Sequence, residues 1–187
     1  MDVLTPRRKN AWRLFLGLLM SIAIVPLQSQ TGSEFEVKAA FLYKFASFVE
    51  WPHDSPNLPV AICIVGHDPF GGALDRVVKG KTVNGREFAI HRLKSGDAET
   101  ECHILFISGS ERKRLRMELD RVQGVPVLTV GDMPEFCENG GAINFGVADN
   151  RVQLEINPNA AERAGLQVSS RLLSLARIVR EAPMGSR

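Results

Sequence analysis

Val60-Ala-Ile-Cys-Ile-Val65, followed at once by Gly66-His-Asp-Pro-Phe-Gly-Gly72, decides the fold. Six apolar residues without alternation describe a strand buried on both faces, the habit of parallel sheets. The glycine-rich loop leads into a short helix carried by Leu74, Val77 and Val78. A second such run, Cys102-His-Ile-Leu-Phe-Ile107, ends in Ser108-Gly-Ser110 and passes into a charged amphipathic helix, Glu111 to Val122. Leu115 and Leu119 face inward on that helix, and Gly124 stops it. Val125 to Val130 is a third strand, closed by Gly131-Asp132, and Arg86 to Leu93 a fourth, introduced by the Asn84-Gly85 turn. Alternating strands and helices imply right-handed parallel βαβ units.

The flanks complete this pattern. On the N-terminal side, Phe35, Val37, Ala40, Phe41, Phe45, Phe48 and Val49 recur at helical spacing, with Lys38 and Lys44 off that face and Pro52 as the stop. On the C-terminal side, Ala142–Val147 and Arg151–Ile156 flank Ala148-Asp-Asn150 and read as a hairpin. Asn157 and Pro158 supply the N-cap and first residue of one helix. Ser169 or Ser170 caps a second, whose apolar face is Leu172, Leu173, Leu175, Ala176 and Val179. The expected architecture is a three-layer α/β sandwich. Its mostly parallel sheet has about five to six strands, an antiparallel C-terminal hairpin at one edge and helices on both faces.

The 187 residues amount to about one domain, with 44% apolar and 24% charged residues. Arg7, Arg8, Lys9 and Arg13 precede an apolar run from Leu14 to Val25, and Pro26–Gly32 then turns polar and small. That order describes a secretory signal peptide over residues 1–30, cleaved between Leu27 and Ser33 and leaving one domain over 34–182. The run of about 12 residues is short of the roughly 20 that span a bilayer. The expected location is the periplasm. Net charge is only +2, and the N-terminal cluster supplies much of it, so nothing suggests nucleic-acid binding.

Neither catalysis nor a metal is indicated. His53, His67, His91 and His103 show no ligand spacing, and there is no Gly-x-Ser-x-Gly elbow. No cofactor is expected. In an oxidising compartment two of Cys63, Cys102 and Cys137 can pair, leaving one over. In parallel sheets ligands sit beyond the carboxyl ends of the strands, at the switch point. The loops at Gly66, His67 and Asp68, at Ser108 and Ser110, and at Asp132 all follow parallel strands and should meet, so they form a candidate small-ligand cleft. Gly66–Gly72 could offer backbone N–H groups to an anion. Asp68 would repel phosphate, and a structural turn is the stronger reading of the loop.

Further motifs run the length of the chain. Glu36-Val-Lys-Ala-Ala-Phe-Leu-Tyr-Lys-Phe-Ala-Ser-Phe-Val-Glu-Trp-Pro52 opens it, and Ile62–Gly66 with Asp68-Pro-Phe-Gly71 follows. Gly140-Gly-Ala-Ile-Asn-Phe145, Val152-Gln-Leu-Glu-Ile-Asn157, Ala164-Gly-Leu166 and Ser170-Arg-Leu-Leu-Ser-Leu-Ala176 complete the set. Together they resemble the YfiR-like family of periplasmic regulators over nearly all of residues 34–180. The resemblance implies a non-enzymatic repressor that binds the periplasmic sensor domain of an inner-membrane diguanylate cyclase. It also implies relief by an outer-membrane lipoprotein, and modulation by redox state and homodimer formation. Glu155 and Asn157, at the strand-to-helix corner, are the candidate partner-binding residues, although capping alone would account for Asn157. The family pattern has two disulfides. The first falls on Cys63 and Cys102, a pairing that the spacing of neighbouring strands permits. The second would join Cys137 to a position that here holds Asn144, so Cys137 is left free or intermolecular.

Overall fold

The computed structural model describes residues 29–52, 57–97, 101–148 and 151–181. Residues 1–28 of the expected signal peptide, the tip of the hairpin at 149–150 and the chain beyond 181 lie outside the described residues. α1 (Ser29–Phe48) opens the described chain and hands over to β1 (Val49–Glu50) just before Pro52. Its buried stripe is Lys38, Ala39, Leu42, Phe45 and Ala46, while Val37 and Ala40 face solvent. The inner face is therefore rotated from the one the apolar residues suggested, and it carries a lysine.

The next elements are β2 (Val60–Val65), α2 (Gly72–Val78), β3 (Thr82–Val83), β4 (Arg86–Leu93) and β5 (Ile104–Ile107). Asn84 and Gly85 both have positive φ, 51° and 78°, and turn β3 back along β4. The span expected as one helix from Glu111 divides into a 3-10 segment, Gly109–Arg114, and α3 (Leu115–Arg121). β6 (Leu128–Gly131), β7 (Ile143–Ala148) and β8 (Arg151–Ile156) follow, then α4 (Pro158–Arg163), β9 (Gln167–Val168), α5 (Ser170–Leu173) and β10 (Arg177–Ile178).

The main sheet has eight strands in the order β10-β8-β7-β6-β5-β2-β4-β3. β4, β2, β5, β6 and β7 are mutually parallel, and β8 returns antiparallel along β7. The expected five to six strands are this set, to which the two-residue β3 and β10 add the edges. β4 lies on one side of β2 and β5 on the other, so the sheet is doubly wound with its switch point between β2 and β5. Alternate residues of β2 divide the core. Ile62 and Ile64 join α1, α2, α4 and α5 on one face, while Cys63 and Val65 join Leu115 of α3, Phe136 and Val179 on the other.

The C-terminal end departs from expectation. α5 is a single turn capped by Ser169, whose Oγ accepts from Leu172 N–H at 3.3 Å. Leu175 is exposed, and Val179 N–H donates to Ile156 O at 2.8 Å. The spacing of Leu172 to Val179 suits a helix, but the unpaired edge of β8 offers those backbone groups a ladder, and the ladder wins. β9 likewise pairs with β1 as a small separate sheet.

Candidate functional site

The three loops beyond β2, β5 and β6 meet, as the parallel topology requires. Gly66 (φ 88°) turns the chain over the β5 loop, where a Cβ would fall 2.5 Å from Ser110 Oγ and 2.8 Å from Glu111 Cγ. His67 N–H donates to Ser110 Oγ at 2.9 Å, and Ser110 N–H to Ser108 Oγ at 3.4 Å. Gly109 N–H donates to Asp132 Oδ1 at 3.0 Å. Asp68 Oδ1 accepts from Phe70 N–H at 2.7 Å and Gly71 N–H at 3.2 Å. Its Oδ2 pairs with Arg92 Nε at 2.7 Å. Arg92 also grips Asp75 at 2.6 Å, and these hydrogen bonds hold the Asp75 carboxyl below its usual range and push the guanidinium up. The donors that an anion would use are thus spent between the loops.

A lysine closes the same end of the sheet. Lys38 Nζ reaches Glu34 at 2.8 Å and Asp132 Oδ2 at 3.7 Å. It was expected off the apolar face, and no local signal marks it. Its position depends on Asp132, nearly a hundred residues away, being delivered by β6. The region is an interlocked clasp joining α1, β2, β5 and β6.

A second network lies at the hairpin end, around the expected partner-binding residues. Asn157 is fully buried. Its Oδ1 caps α4 by accepting from Ala160 N–H at 3.2 Å, and its Nδ2 donates to Cys137 O at 3.0 Å and Glu181 Oε1 at 3.2 Å. Glu181 in turn pairs with Arg163. Asn157 therefore presents nothing to a partner directly; its contribution is to the shape of the corner. Glu155 accepts from Asn144 Nδ2 at 2.9 Å and pairs with Arg177, whose pKa rises through that hydrogen bond. Only 13% of the Glu155 side chain is exposed.

The cysteines divide as their surroundings dictate. Cys63 and Cys102 are disulfide-bonded, with Cα atoms 5.8 Å apart. Cys137 is free and buried, with Sγ 3.5 Å from Glu155 O. Burial, then the charges of Glu155 and Glu138, push its thiol up to about 12. In this conformation a second chain cannot reach it. Asn144 lies on β7, its Oδ1 accepting from Met133 N–H at 3.2 Å and its Nδ2 donating to Glu155.

Among the described residues no group of three or more His, Cys, Asp or Glu is placed to hold a metal ion. No curated protein matches the chain. A family model described as YfiR/HmsC-like matches residues 35–177, from the first turns of α1 to the start of β10. The match takes in the disulfide and, Glu34 and Glu181 apart, the clasp and the corner network, and the chain belongs to the YfiR/HmsC-like family.

Proposed function

We propose that this chain is a periplasmic, non-enzymatic regulator of diguanylate cyclase signalling, which binds the periplasmic sensor domain of an inner-membrane cyclase and holds it inactive. The observation that carries this reading is the family match over residues 35–177. Polar groups at the carboxyl ends of the strands are engaged with one another, which leaves few of them for a small ligand. No helix among the described residues is long and apolar enough to cross a membrane. Redox control would act through Cys63–Cys102, and the relieving partner would be an outer-membrane lipoprotein. Glu155 and Asn157 serve partner binding by fixing the β8–α4 corner. A small-ligand role at Gly66, His67, Asp68, Ser108, Ser110 and Asp132 would have to break His67–Ser110 and Gly109–Asp132, so it stands second.

The test is deletion of the gene. Cellular cyclic di-GMP should rise, and a membrane pulldown with oxidised protein should retain the cyclase more strongly than one with reduced protein. Unchanged cyclic di-GMP across growth conditions would remove the proposal.

A further inference from the structure

We propose that the outer face of Gly109–Arg121 is a docking surface for an acidic segment of a protein partner, rich in carboxylates and bearing one apolar side chain. The proposal rests on the regulator reading only for the existence of a protein partner, and adds the face and its chemistry. Arg112, Lys113, Arg114 and Arg116 crowd this segment and are exposed, and the half-buried Arg121 closes it. Its carboxylates largely face the other way. Glu111 is buried against Gly66, though its Oε2 still lies 3.5 Å from Arg114 Nη1, and Glu118 is fully buried, accepting from Ser95 Oγ at 3.2 Å. Asp120 alone stays on the surface, paired with Arg116 at 3.0 Å. With the N-terminal cluster set aside, the rest of the chain is close to neutral, so this face concentrates positive charge.

The cations are partly pre-positioned. Arg121 donates to Gly96 O at 3.1 Å and to Asp97 O, and Arg114 Nη1 donates to Ser95 Oγ at 3.1 Å. Guanidinium groups fixed in advance lose less freedom when they bind a carboxylate. Arg112 and Lys113 make no ion pair among the described residues, and remain available. Met117 is 45% exposed and lines a shallow depression together with Lys113, Arg114, Arg116, Asp120 and Arg121. A thioether in a ring of cations suits an apolar side chain flanked by carboxylates. A flat bilayer fits a depression poorly and calls for larger apolar anchors than one methionine. Stacking on single-stranded nucleic acid would call for aromatic partners, and the lining has none.

The test uses the oxidised mature protein. The probes are a fluorescein-labelled glutamate-rich peptide with a single leucine, its glutamine counterpart, and phosphatidylglycerol vesicles. The glutamate peptide should bind, weaken as salt rises from about 0.05 to about 0.3 M, and lose at least about tenfold in affinity to Arg112→Glu/Lys113→Glu/Arg116→Glu. Those side chains are exposed and the lost Arg116–Asp120 surface pair contributes little, so circular dichroism should stay unchanged and melting should fall by no more than a few degrees. Met117→Ser should weaken binding about threefold without altering its salt dependence. The surface is refuted if the glutamate peptide fails to bind, if the glutamine peptide binds equally, if the triple variant binds like the parent, or if only vesicles bind. Unchanged cyclic di-GMP on deletion, with peptide binding intact, would remove the regulator reading and leave the surface standing.

Discussion

At the scale of single residues, the three cysteines fall into two situations, a bonded pair and a buried free thiol, and each leaves a measurable trace. Cys63–Cys102 closes a loop with a sequence separation of 39. The chain-entropy model assigns such a loop about 4 kcal/mol of stabilisation. Reduction, or Cys63→Ser with Cys102→Ser, should lower the melting temperature by many degrees in a thermal scan. Cys137 should escape thiol reagents in the native protein near neutral pH, because burial keeps its proton on. After denaturation without reductant, one thiol per chain should react; three would deny the pairing. The raised thiol pKa also gives stability a pH dependence of definite sign. The folded state keeps a proton that the unfolded state releases near 9, so the contribution is intact below about pH 9 and falls away toward about pH 12. The decline in stability above pH 9 should be shallower in Cys137→Ala, as urea titrations at a series of pH values would reveal. At Asn157, the amide satisfies both a helix N-terminus and two acceptors. Asn157→Ala should cost about 2–3 kcal/mol, beyond the ~1 kcal/mol of a cap alone. A loss confined to partner binding, with stability unchanged, would show instead that the side chain acts at the surface.

Elements are set against one another by side chains that local patterns do not distinguish. Phe136 is fully buried between two glycine backbones: a Cβ at Gly131 would lie 2.4 Å from its ring, and one at Gly141 2.0 Å. Gly141→Ala should therefore displace the ring and cost about 3 kcal/mol or more, read as a lower urea midpoint. A variant as stable as the parent would mean that the turn after β6 has slack. Lys38 joins α1 to the end of β6 through Asp132. Lys38→Ala would leave Asp132 with only the Gly109 N–H, so it should cost about 1–3 kcal/mol, read as a lower urea midpoint. The spacing of α1 reveals an amphipathic helix but not its precise facing, because aromatic residues occur around much of its circumference and only the sheet selects the buried stripe. At the C-terminus the helical spacing of Leu172–Val179 was misleading, since β8 had an open edge to satisfy.

For the molecule as a whole, the strand order places the β2 and β5 loops at the switch point of a doubly wound sheet. The convergence of Gly66–Asp68, Ser108–Ser110 and Asp132 was legible from parallel strands alone, because every parallel strand delivers its following loop to the same edge. Their interlocking was not legible, since it depends on which hydroxyl and which N–H come within 3 Å. Export also belongs at this scale. The basic, apolar and polar segments ahead of α1 lead us to expect a mature chain starting between residues 28 and 34. Intact mass of the protein recovered from the periplasm checks it, and an uncleaved chain in the membrane fraction would contradict it.

Periodicity, turn chemistry and order along the chain sufficed for the α/β class, the run of buried strands, the hairpin, the Asn157 cap and the family. Assembly of the sheet was needed to turn Lys38 inward, to bury Glu111 and Glu118 beneath a cationic face, to set Phe136 between two glycines, and to join Asn144, Glu155 and Asn157 into internal networks. The two sets differ in range. Backbone preferences and hydrophobic spacing act within a few residues and can be read locally. The burial of a charge or an amide is set by partners tens of residues away, brought within hydrogen-bonding distance only when the sheet assembles.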